Sequence, residues 1–150
     1  MIWILSTALA APLDTQIALQ QGNCSKAISS YPEPLEANYQ LAIGNCYIEM
    51  GDIEKGINLL EEVGGDLKSY ATLLRADGAM LIGNSYEAQV LADEAASNPL
   101  LKDQAMLIKA KAAIANQQYV VARDTLRPLL TGKRTKAGYN ADPGEIDPAE

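Results

Sequence analysis

The chain has 150 residues, 48% of them hydrophobic and 21% charged, which is enough for one domain with a buried core and excludes a disordered polymer. A net charge of −7 and a pI of about 4.6 remove the basic face that phosphate backbones require, so nucleic acid is not an expected partner. Histidine is absent, and with it the commonest general base and metal ligand.

Residues 1–10, MIWILSTALA, open with an apolar run over Ile2, Trp3, Ile4 and Leu5. Ala8-Leu9-Ala10 then fits the small-x-small pattern of a cleavage site. This predicts a secretory signal and an exported, periplasmic location, although only the terminal amine supplies positive charge. The run is too short for a bilayer, which needs about 20 apolar residues, so no stable membrane span is expected.

From residue 11 to residue 130 the pattern is helical. Gly22-Asn23 with Ala27, Gly51-Asp52 with Gly56, and Gly83-Asn84 with Ala88 each read as a helix stop, a cap and a restart. A weaker copy reads Gln117-Gln118-Tyr119 with Ala122. The small residues at 27, 56, 88 and 122 lie 29, 32 and 34 apart, the length of one helical hairpin. A small residue at a crossing lets two helices approach closely. Bulk added at Gly56 is therefore expected to cost about 1–3 kcal/mol, while Ala, a better helix former, is expected to be tolerated there.

The apolar spacing predicts four antiparallel helix pairs over about 13–31, 35–63, 66–97 and 99–130. Tyr39, Ile43, Cys46, Tyr47 and Met50 share one face, and Ile53, Ile57, Leu60 and Val63 answer it on the next helix before Gly64-Gly65 stops it. Leu67, Tyr70, Leu74, Leu81 and Ile82 populate the helix that follows. Asn84 with Glu87 suits a capping box, and Asn98-Pro99 predicts a helix start with Asn as cap and Pro in the first turn. Leu101, Ala105, Ile108, Ala112 and Ala115 continue to a break near Asn116. Tyr119, Ala122, Leu126 and Leu129 form the last stripe, which Pro128 is expected to end or kink. No segment sustains a two-residue alternation, so the fold class is all-α.

These residues resemble the tetratricopeptide repeat family. The best match is LAIGNCYIEMGDIEKGINLL, where Gly44, Tyr47, Gly51, Gly56 and Leu60 stand where that motif expects Gly, Tyr, Gly, a small residue and a large apolar one. Ala27, Ala88 and Ala122 carry the small position in the other copies. The usual Trp of the first helix is absent, and Pro32 and Pro99 only approximate the closing Pro. The resemblance covers about 13–130. It implies hairpins stacked as a right-handed superhelix whose concave face holds a protein or peptide. A narrower likeness is to the helical region that precedes the catalytic domain of soluble lytic transglycosylases. It rests on the exported signal, the irregular hairpins and the acidic ending DPGEIDPAE. It implies a non-catalytic arm serving the peptidoglycan machinery, with a catalytic domain beyond residue 150.

The chemistry-bearing residues are sparse. Cys24 and Cys46 form no CxxC pair and have no His beside them, so zinc would lack ligands. Neighbouring helices bring them towards bridging distance, and a disulfide or two buried thiols both remain open. Glu61-Glu62 and Asp93-Glu94 offer paired carboxylates, but adjacent helical residues point about 100° apart, and solvated charge explains them. Without His no Ser-His-Asp arrangement is possible, and Gly64-Gly65 lacks the continuation of a phosphate loop. Residues 131–150 contain a basic knot of Lys133, Arg134 and Lys136, then acids punctuated by Gly and Pro, which predicts a linker or tail. The expectation is a non-catalytic, cofactor-free, exported scaffolding or binding module.

Overall fold

The computed structural model describes residues 13–31 and 36–136, the last five as backbone. The expected signal segment 1–10, and residues 137–150 of the expected tail, lie outside the described residues. Among the described residues eight α-helices follow one another: α1 (Leu13–Gln20), α2 (Cys24–Ser30), α3 (Ala37–Glu49), α4 (Ile53–Glu61), α5 (Lys68–Leu81), α6 (Ser85–Ala95), α7 (Lys102–Ala115) and α8 (Tyr119–Lys136). A short 3₁₀ turn, Gly65–Leu67, leads into α5. Among the described residues there is no strand.

All four hairpins turn by one device. Gly22, Gly51, Gly83 and Gln117 take left-handed φ values of 67°, 91°, 78° and 61°. In the second hairpin the Gly51 N–H closes on the Ile48 carbonyl and the Asp52 N–H on that of Tyr47, and the other three repeat both bonds at equivalent positions. This double closure caps the outgoing carbonyls that a helix end leaves unpaired. The carbonyls of Asn23, Asp52, Asn84 and Gln118 then accept from the N–H groups of Ala27, Gly56, Ala88 and Ala122 and start the next helix. Only the last turn asks an L side chain to sit in the left-handed region, which costs roughly 1–2 kcal/mol.

Each helix packs on the next, and α5 also packs on α3 and α7 on α5. The core is accordingly a series of small clusters, each joining one hairpin to a helix of the following one. Ile48, Leu60, Val63 and Ala71 join α3 and α4 to α5, while Ala76, Leu91, Ala92 and Ile108 join α5 and α6 to α7. Within the hairpins the small residue of the second helix has a small counterpart twelve positions earlier. The pairs are Thr15 and Ala27, Gly44 and Gly56, Ala76 and Ala88, and Ala110 and Ala122, all buried.

The second pair is the tightest. A Cβ on Gly56 would stand 2.7 Å from the Gly44 carbonyl oxygen and 3.1 Å from the Ile48 nitrogen, and one on Gly44 would meet Leu60 at 2.6 Å. The expected tolerance of Ala at Gly56 is therefore overturned. The obstacle is backbone, which cannot rotate aside.

Four local expectations are also corrected. Glu87 does not close a capping box, because the Asn84 N–H already bonds the Ala79 carbonyl; the Glu87 carboxylate takes the Asn84 side-chain amide instead. Asn98-Pro99 does not start a helix. The Leu101 N–H bonds the Asn98 carbonyl, making a turn with Pro in its second position, and α7 begins at Lys102. Pro128 does not end α8, which runs to Lys136 and so takes in the first six residues of the expected tail. That proline is exposed, and its missing N–H removes one bond of the helix ladder. Met50, Leu81 and Ile82 lie exposed at helix ends rather than in the core.

Candidate functional site

A concavity of about 490 Å³ lies between α6, α7 and α8. Its walls are low because the helices present Ala92, Ala96 and Ala105 there, and side chains this short leave the space between backbones unfilled. Met106 supplies an adaptable thioether, and Val121 and Thr125 close the α8 side. Lys102, Lys109, Asp93 and Asp124 bring two charges of each sign to the lining. Lys109 Nζ lies 2.6 Å from Asp93 Oδ1, and Asp124 is 3.0 Å from Arg123. An apolar trough with balanced charges suits an extended or helical segment carrying both apolar and charged side chains.

Cys24 and Cys46 are joined in the structure, with Cα atoms 5.1 Å apart, tying the start of α2 to the middle of α3. Both are buried, and the Glu49 carboxylate lies 3.4 Å from Cys24 Sγ, held from its other oxygen by Asn45. Tyr47 is buried with its hydroxyl 3.2 Å from that of Tyr31 and its ring 4.5 Å from Lys55 Nζ, so it links α3 to α4 and to the residue that follows α2. Gly44, Gly56 and Leu60 meet at the α3–α4 crossing, whereas Gly51 serves the turn and is exposed. Ala27, Ala88 and Ala122 occupy the equivalent buried positions of α2, α6 and α8.

The carboxylate pairs are exposed and each member has its own partner. Glu61 pairs with Arg75, Glu62 with the Gln40 amide, Asp93 with Lys109 and Glu94 with Lys68. These contacts tie neighbouring helices and bring no two carboxylates of a pair onto a shared substrate position. Among the described residues no group of three or more His, Cys, Asp or Glu could hold a metal ion, and no helix is long and apolar enough to cross a membrane.

Reasoning from sequence missed the groove. Its residues come from three helices, and only the run of alanines at 92, 96 and 105 hinted at a low surface. It also missed Thr15, Ala76 and Ala110, the counterparts of Ala27, Ala88 and Ala122, which the twelve-residue separation of Gly44 and Gly56 would have revealed. Compared with protein-family models, with curated proteins and with solved structures, the chain matches none.

Proposed function

We propose that this chain is a non-catalytic, exported helical-repeat module of tetratricopeptide-like type that binds a protein or peptide segment. The observation that carries the reading is the trough between α6, α7 and α8, floored by small and deformable side chains and edged by both signs of charge. The fourfold turn supports the repeat character, because one hydrogen-bonding pattern recurs at each hairpin. The paired Cys24 and Cys46 support export, since such bonds persist in oxidising compartments.

The test is to select peptides on the purified 150-residue protein from a displayed random library and to measure the best binder on wild type and on Thr125→Arg. That substitution fills the trough from α8 at a partly exposed position. Binding should fall at least tenfold with the melting temperature unchanged. Peptides that bind both proteins equally would put the site elsewhere. Intact mass under non-reducing conditions tests the oxidised state, which is two hydrogens lighter.

A further inference from the structure

The two ends of the helix array expose the two halves of an interface that the chain already forms twice inside itself. Positions are counted here from the left-handed residue of each hairpin. The incoming helix presents the residues twelve, nine and five before it: Ala71, Leu74 and Gly78 in α5, and Ala105, Ile108 and Ala112 in α7. Ala71 and Leu74 pack with Ile48 and Leu60, and a Cβ on Gly78 would stand 3.2 Å from Ile48 and Ile57. One hairpin later Ile108 packs against Leu91 and Ala92, and Ala112 packs with Met80 and Ala88. On the receiving side the residues three and ten before the turn are covered, wholly or in part: Ile48 and Leu41 in α3, Met80 and Leu73 in α5.

Among the described residues at the ends three of these positions are bare, while Ile17, five before Gly22, is partly covered. Leu13 of α1, nine before Gly22, is 70% exposed. Ile114 and Leu107 of α7, three and ten before Gln117, are 49% and 46% exposed.

Charge repeats the pattern independently. In these two interior interfaces, though not where α3 meets the first hairpin and the incoming position is Ile43, the residue eight before the turn of the incoming helix pairs with the residue ten after the turn of the receiving hairpin. Arg75 thus meets Glu61, and Lys109 meets Asp93. At the ends the equivalent residues are Asp14 and Arg127, both exposed: again complementary, but with the signs exchanged. The exchange matters for specificity. Asp14 against Glu61 or Asp93 would place like charges together, so by charge the first helix fits the last hairpin and neither the second nor the third.

We propose that α1 of one copy docks on the α7–α8 end of a second copy, in the relation that α5 has to the α3–α4 hairpin. The contact is head-to-tail, so it does not close by twofold symmetry and each added copy offers a fresh end. Ile17 stands where Gly78 and Ala112 stand, and its bulk holds the helices further apart than inside the chain. Association is therefore concentration-dependent and weaker than the interior packing. It uses the two ends and is separable from peptide binding in the trough.

Sedimentation velocity of the 150-residue protein, from micromolar to the highest soluble concentration, tests this. The average mass of wild type should climb past that of a dimer. Leu13→Glu and Ile114→Glu, both at exposed positions, should each stay monomeric with unchanged circular dichroism, and an equimolar mixture of the two should form a dimer that grows no further. Asp14→Arg and Arg127→Asp should each weaken association by roughly fivefold, and the double exchange in one chain should restore it. A wild type that stays monomeric throughout overturns the proposal. So does a dimer that Ile114→Glu abolishes and Leu13→Glu spares, which would mean that two copies meet through their last hairpins. Failure of the double exchange to rescue overturns it as well.

Discussion

The α3–α4 and α7–α8 hairpins solve the same geometric problem with different residues. In the first, Gly44 and Gly56 let two backbones approach until a carbonyl oxygen occupies the space of a missing side chain, and Gly51 makes the turn without strain. In the second, Ala110 and Ala122 take the corresponding buried positions, each with a methyl group where the glycines have none, and Gln117 is held in a left-handed conformation that Gly would adopt freely. Asn116 tethers that turn through its side chain to Ser85 and Gln89 of α6. A further difference lies five residues before the turn, where α3 carries Cys46, bonded to the preceding hairpin, and α7 carries the packed Ala112. The shared hydrogen-bonding pattern sets where the chain turns, and the size of two residues sets how closely it folds back.

The sharpest way to break the comparison is to add bulk at the two equivalent crossing positions. Gly56→Leu should cost about 3 kcal/mol or more, since backbone must move to admit it. Thermal denaturation should show a lower melting temperature than for Ala122→Leu, whose neighbours at the open end of the array have room to yield. An equal loss at both positions would mean that the glycine crossing is no tighter than the alanine one.

Next in size is the covalent tie. Opening the Cys24–Cys46 bond, with its sequence separation of 22, should cost about 3 kcal/mol by loop-closure entropy. That corresponds to a melting-temperature drop on the order of 10 °C on adding reductant. Cys24→Ser/Cys46→Ser should lower the midpoint to the same extent and leave it indifferent to reductant.

Gly56→Ala should cost about 2 kcal/mol, against helix propensity, which favours Ala by about 1 kcal/mol. The reverse exchange, Ala88→Gly at the fully buried position of α6, should cost about 1–2 kcal/mol through propensity and the lost methyl. Urea midpoints decide the order, and a stabilising Gly56→Ala would refute the close approach. The smallest expected effect is a gain. Gln117→Gly relieves the left-handed strain and should stabilise by about 0.5–1 kcal/mol after the added entropy of the unfolded chain.

Composition and spacing alone determined that this chain is helical and where it reverses. Gly22, Gly51 and Gly83 end helices through their own backbone freedom, Asn23 and Asn84 cap through side chains three residues from their targets, and both effects act within one turn of chain. What crosses between helices was legible only in part. The small residues at 27, 56, 88 and 122 marked the crossings, but the strictness of Gly56 depends on a carbonyl twelve residues away in sequence and 2.7 Å away in space. Leu81 and Ile82 looked like core because an apolar residue has the same hydropathy whether or not a helix lies across it. Only tertiary packing decided that they are exposed, that Asn84 spends its N–H on the preceding helix, and that α8 runs through Pro128. The groove between α6, α7 and α8 and the matched ends, Asp14 with Leu13 and Arg127 with Ile114, belong to the same category. Local rules act over four residues, whereas a surface is assembled from residues tens of positions apart, and its shape exists only after the helices have been set side by side.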